Sequence, residues 1–217
     1  AYQNLGLLLI EQHKLTEAAE LYNTAIGIIG DKAALREGLG LALLDQGKTS
    51  QAIEQFNKAI ELDPQGAGAY DNLGRALFNM NQLDDAKVQF DKALSLNPNM
   101  EVTHNNMGSL LASQGRIPQA IEQFEESLRL NPNQPTTLCN LGSSFACIGE
   151  FSKAQEKFEA AIRLAPDDAD TCFNFGLCLQ QQGRYNEAAA QFSRALQINP
   201  QYRPAREALN KLRHPGP

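Results

Sequence analysis

The chain has 217 residues, of which 42% are hydrophobic and 20% charged, and a formal net charge of −6. That acidity, without any basic track for phosphates, excludes nucleic acid as a partner class. No run of about 18 apolar residues and no signal peptide are present, which argues against direct membrane insertion and leads us to expect a cytoplasmic setting unless an N-terminal signal or domain has been removed.

Taken in chain order, the sequence opens inside a helix, at Leu5-Gly6, and glycine then returns every 34 residues at Gly40, Gly74, Gly108, Gly142 and Gly176. An opening inside a helix predicts a fragment of a longer protein. Twelve residues after each glycine stands Ala18, Ala52, Ala86, Ala120, Ala154 or Ala188. Sixteen after it stands an aromatic residue: Tyr22, Phe56, Phe90, Phe124, Phe158 or Phe192. A small residue follows in each unit, from Ala25 to Ala195, and Pro64, Pro98, Pro132, Pro166 and Pro200 close five of the units. One such unit cannot bury its own apolar face and must stack on its neighbours, so the period outranks local propensity.

Within a unit the pattern predicts two helices. In the third, Leu73, Leu77 and Met80 keep helical spacing, Asn81-Gln82 breaks it, and Leu83, Ala86, Phe90, Ala93 and Leu94 form a second stripe. The unit-closing prolines block further helix, whereas Pro118 falls in a first helical turn, where its missing N–H has no partner to lose. After the last unit, Ala205, Ala208, Leu209 and Leu212 lie on one side of a segment from Arg203 to His214, predicting a helix that caps the array. The six units carry 15 basic and 24 acidic residues.

In order and spacing these positions resemble the tetratricopeptide repeat, with its Leu-Gly in a first helix, then Ala, an aromatic and Ala in a second, then Pro. The resemblance covers essentially the whole chain. It departs where the large aromatic four residues before the glycine survives only as Tyr2 and Tyr70, and where His13 replaces a turn glycine. It implies an all-α solenoid, a right-handed superhelix of antiparallel helix pairs. The repeats are expected at about 1–32, 33–66, 67–100, 101–134, 135–168 and 169–202, with a capping helix and tail at 203–217. First helices would line the concave surface.

Asparagine stands two residues before the glycine in five units, at Asn4, Asn72, Asn106, Asn140 and Asn174, with Gly38 the exception. Asn costs several tenths of a kcal/mol against Ala inside a helix, so its recurrence needs a reason. Two fit: its amide matches the N–H and C=O of an extended peptide, or it bonds neighbouring first helices to each other. The ladder resembles that of the O-linked N-acetylglucosamine transferases, which implies peptide contact; their catalytic half is absent. Asp71, Arg75, Asn105 and Ser109 are expected beside the ladder, and Leu7, Ile10, Leu41 and Leu44 as an apolar contact surface. The carboxylate clamp of chaperone-tail co-chaperones does not fit, because its lysine positions hold Glu37, Asp71, Asn105, Cys139 and Phe173.

No nucleophile elbow, metalloprotease motif or phosphate loop is present, so no catalytic residue, cofactor or enzymatic activity is predicted. Cys139, Cys147, Cys172 and Cys178 form no Cys-x-x-Cys pair and read as reduced thiols rather than metal ligands. The expected function is a scaffold that binds a protein or peptide partner in its groove. A self-assembling homo-oligomer is the alternative, and the substrate-recognising part of a larger enzyme a second one.

Overall fold

The computed structural model describes residues 2–213; Ala1 and the predicted tail from His214 lie outside them. Among the described residues there are thirteen α-helices and no strand: α1 Tyr2–Glu11, α2 Leu15–Ile29, α3 Ala33–Asp45, α4 Thr49–Leu62, α5 Ala67–Asn79, α6 Leu83–Leu96, α7 Glu101–Ser113, α8 Ile117–Leu130, α9 Pro135–Cys147, α10 Phe151–Leu164, α11 Ala169–Gln181, α12 Tyr185–Ile198 and α13 Arg203–Arg213. Met80, expected within a first helix, is instead the residue capping α5. The chain divides into two compact units, residues 1–106 and 107–217.

In the first unit α1, α3 and α5 lie side by side, α2 packs on α1 and α3, and α4 on α3 and α5. The second unit repeats the scheme, with α9 beside α11, α10 against both, and α13 on α12. The aromatic of each second helix is almost wholly buried against the glycine of its own first helix. A Cβ on Gly74 would stand 2.6 Å from Cε1 of Phe90, and one on Gly176 2.5 Å from Cε1 of Phe192. The bare backbone lets the ring seat on the helix, and that contact explains the fixed interval between the two positions.

Two kinds of turn set the period. Inside a helix pair the chain reverses through a left-handed residue: Gly47, Gly115, Gly149 and Gly183, but His13 (φ 57°) and Asn81 (φ 61°) in the other two. Between pairs, Asp63, Asn97, Asn131 and Asn199 hold an extended or near-extended backbone, as the residue before proline requires. Each accepts a hydrogen bond from the amide two residues on, at 3.0–3.2 Å. At the C-terminal end Ala205 and Leu209 of α13 are buried, giving the last repeat an apolar cover.

Candidate functional site

The asparagine column lies on the first helices, and its amides are turned toward the first helix before. In the 1–106 unit Asn72 Nδ2 donates to Glu37 Oε1 at 2.8 Å, and Asn106 Nδ2 to Asp71 Oδ1 at 3.1 Å. In the 107–217 unit Asn174 Nδ2 donates to Cys139 Sγ at 3.4 Å, and Asn140 Nδ2 reaches Ser109 Oγ at 3.5 Å. Three of these four bonds join the asparagine to the residue three before the glycine of the preceding repeat. An amide nitrogen carries two donors, so the bond to Cys139 leaves Asn174 its other N–H and its carbonyl to be engaged elsewhere. Asn4 is exposed on α1.

Asp71, expected beside the ladder, and Glu37 are largely enclosed, with Asp71 only 6% exposed. Burial pushes both carboxyls above their ordinary values. At Glu37 the Asn72 amide opposes the rise, while Asp71 and Asp63 add to it. At Asp71 the Thr103 hydroxyl, the Asn106 amide and Arg75 oppose it. Gly68 makes room for the first acid, since a Cβ there would stand 2.7 Å from Glu37 Oε1. Arg75 also reaches Asp45 at 4.0 Å on the half-exposed edge.

Of the residues expected to form an apolar contact surface, Leu44 is only 8% exposed and belongs to the core around Tyr22, Leu39 and Phe56. Leu41 and Ile10 pack against that core, leaving Leu7 as the exposed member. The helix turns Leu44 onto the buried stripe, four residues after the buried Gly40. The exposed apolar face lies on α1 instead: Leu5 is 48% and Leu8 47% exposed, whereas their counterparts Leu39 and Ala42 are buried.

In the 107–217 unit the first-helix face carries open depressions. One of about 250 Å³ is bounded by Ala112, Phe124, Asn140 and Ser144, and one of about 150 Å³ by their counterparts 34 residues on, Ala146, Phe158, Asn174 and Cys178. Ser143 and Cys147 border both. Neither is lined by a charged side chain. A third, of about 370 Å³, lies between Asn140 and Asn174 on their other side and is edged by Asp168 and Asp170. Asn105 and Ser109 are half-buried on α7, and Ser109 lines the first depression. Sequence reading singled out Asn140, Asn174 and Ser109 but missed Ala112, Ala146 and Cys147. Their signal was the same period applied to small residues rather than to asparagine.

Cys139, Cys172 and Cys178 are buried and Cys147 is exposed. Burial raises the Cys139 thiol above its ordinary value, and the Asn174 amide opposes the rise. No helix among the described residues is long and apolar enough to cross a membrane.

Sequence profiles described as tetratricopeptide repeat match residues 1–32, 67–100, 99–167 and 139–203, and one described as TPR repeat matches residues 40–81. The chain belongs to the tetratricopeptide-repeat family. Solved structures agree in fold. A chain of the APC/C hetero-tetramer Cut9–Hcn1 superposes with a TM-score of 0.90 at 18% identity over 97% of this TPR chain, which spans 42% of that longer one. PilF of Pseudomonas aeruginosa gives 0.80 at 21% identity, covering 97% of this chain and 96% of its own. YrrB, a TPR protein with an unusual peptide-binding site, gives 0.64 at 23% identity, covering 88% and 99%. No curated protein matches the sequence at significance. The family's repeats are protein-interaction scaffolds, and this chain is built of repeats of that kind.

Proposed function

We propose that the chain holds an extended segment of a partner protein along the first-helix face of residues 107–217. The observation that carries this reading is the recurrence of an uncharged depression at a 34-residue interval, each bordered by a ladder asparagine. The depressions offer room for side chains, and Asn174 offers an amide to a backbone of any sequence. The likeness to YrrB, whose peptide-binding site is its stated feature, supports a peptide as the ligand class. A largely preformed helical surface limits the ordering cost on the protein's side, so modest contacts add up to usable affinity.

The test is capture from a random peptide library by the chain and by the Asn140→Ala/Asn174→Ala variant, with circular dichroism confirming that the variant is folded. Loss of the captured peptides is expected; undiminished capture would reject the face.

A second reading, self-assembly, takes the exposed Leu5, Leu7 and Leu8 of α1 as the contact surface. Light scattering across a concentration series, with and without Leu5→Asp and Leu8→Asp, distinguishes it: a mass that stays monomeric in the unmodified chain removes this reading.

A further inference from the structure

The spacing of the two uncharged depressions constrains the conformation of whatever lies across them, and this inference rests on the reading of the first-helix face above. The two depressions lie in successive gaps between first helices, so their separation is that of neighbouring packed helices, about 8–10 Å. A polyproline-type chain advances about 3.1 Å per residue with three residues per turn, so side chains three apart share a face and stand about 9.3 Å from one another. A β-strand puts every second side chain on one face, at about 6.6 Å or 13 Å, and matches neither value. An α-helical ligand would meet the spacing near seven residues, but its backbone groups are already paired and would leave the second N–H of Asn174 nothing to bond. The polyproline-type backbone carries no internal hydrogen bonds and presents free carbonyls.

Charge separates the two sides of the ladder. The depressions at Ser143 and Cys147 have uncharged walls of Phe, Ala, Ser, Asn, Ile, Leu, Gln and Cys, which disfavours a charged side chain there. Across Asn140 and Asn174 the third depression is edged by Asp168 and Asp170. Asp168 is committed to the start of α11, accepting from the amides of Asp170 and Thr171, while Asp170 is exposed and takes the Tyr202 hydroxyl at its Oδ1. A cation arriving from solvent therefore meets Asp170 first.

We infer that the ligand is a polyproline-type peptide that presents an uncharged aliphatic side chain at every third residue to the depressions around Ser143, and a Lys or Arg to the Asp170 side. Ser143 lines both depressions and is itself half-exposed, so one substitution, Ser143→Tyr, fills both without entering the core.

The probes are fluorescein-labelled peptides of about twelve residues built from the same valines, prolines, glutamines and single lysine. In one peptide valine recurs every third residue, in a second every other residue, and in a third the valines are contiguous. Anisotropy titration of the full chain is expected to show the period-three peptide binding about tenfold tighter than the others, a margin of about 1.4 kcal/mol. Ser143→Tyr should abolish that binding with the helical circular dichroism unchanged, and Asp170→Asn should weaken it several-fold at low salt but little at high salt. Equal binding of all three peptides that Ser143→Tyr still abolishes would overturn the register and leave the first-helix face standing. Binding indifferent to Ser143→Tyr would overturn both, no binding by any peptide would overturn this inference, and an unaltered affinity in Asp170→Asn would overturn its cationic part.

Discussion

Tyr22 occupies the place that a ladder side chain would take at Gly38: a Cβ on Gly38 would stand 2.3 Å from Tyr22 Cζ. The ring also presses on Gly6, where a Cβ would again lie 2.3 Å from Cζ, and its hydroxyl donates to the Gln3 carbonyl at 3.2 Å. The gap in the asparagine column and the only tyrosine in the aromatic column are therefore one structural fact. Asparagine at position 38 is expected to destabilise the chain by about 3 kcal/mol through overpacking, more than its helix propensity returns. Combining Gly38→Asn with Tyr22→Phe should recover part of that loss. A chemical-denaturation cycle checks the coupling, and strictly additive effects would refute it.

The other ring-on-glycine contacts differ in tightness. A Cβ at position 74 would meet Phe90 at 2.6 Å, whereas at position 142 the nearest atoms are Phe158 Cε1 at 3.1 Å and the Ala154 carbonyl oxygen at 3.2 Å. Alanine gains about 1 kcal/mol over glycine in a helix interior. Gly74→Ala should lose about 1–3 kcal/mol net, while Gly142→Ala should be close to neutral. Thermal unfolding of the two variants tests the ordering, which equal losses would contradict.

The buried acids give a pH signature. Glu37 and Asp71 both have carboxyls raised by burial, so between the unfolded and folded values the folded chain holds protons that the unfolded chain has released. Stability from these groups thus falls as pH rises through that window, and the full cost is present above it. Glu37→Gln keeps an acceptor for Asn72 and removes the buried charge. It should stabilise the chain at neutral pH by on the order of 1 kcal/mol, with the gain vanishing below the ordinary value of 4.5. Unfolding curves of variant and parent from acid to neutral pH measure it; a gain independent of pH would refute the assignment.

His13 and Asn81 adopt the left-handed backbone that glycine holds at the equivalent turns. His13→Gly is expected to stabilise by about 1 kcal/mol and Asn81→Gly by less, because asparagine tolerates that region better. Denaturant midpoints check the ranking, and a destabilised His13→Gly chain would contradict it.

Most of the fold was legible because Gly74 and Phe90, and their counterparts, must keep a fixed interval for a ring to sit on bare backbone. The asparagine column was legible for the same reason, as a period. Its bonding was not: whether Asn72 meets Glu37 or a ligand depends on the stagger of two helices 35 residues apart in sequence. Leu44 read as surface because hydrophobicity alone does not fix which way a helix that is apolar nearly all round is turned. The paired depressions escaped notice because they are made by small residues such as Ala112 and Ala146, which mark space rather than chemistry.

Cys147 supplies the most direct test of the binding face. It is the exposed thiol of the four and borders both uncharged depressions, whereas Cys139, Cys172 and Cys178 are buried. Its alkylation rate should be measured by mass spectrometry on the folded chain with increasing amounts of a library-captured peptide. A rate that falls by about tenfold at saturation, tracking the binding isotherm, is the predicted result. An unchanged rate under a saturating peptide would place the partner elsewhere and contradict the account.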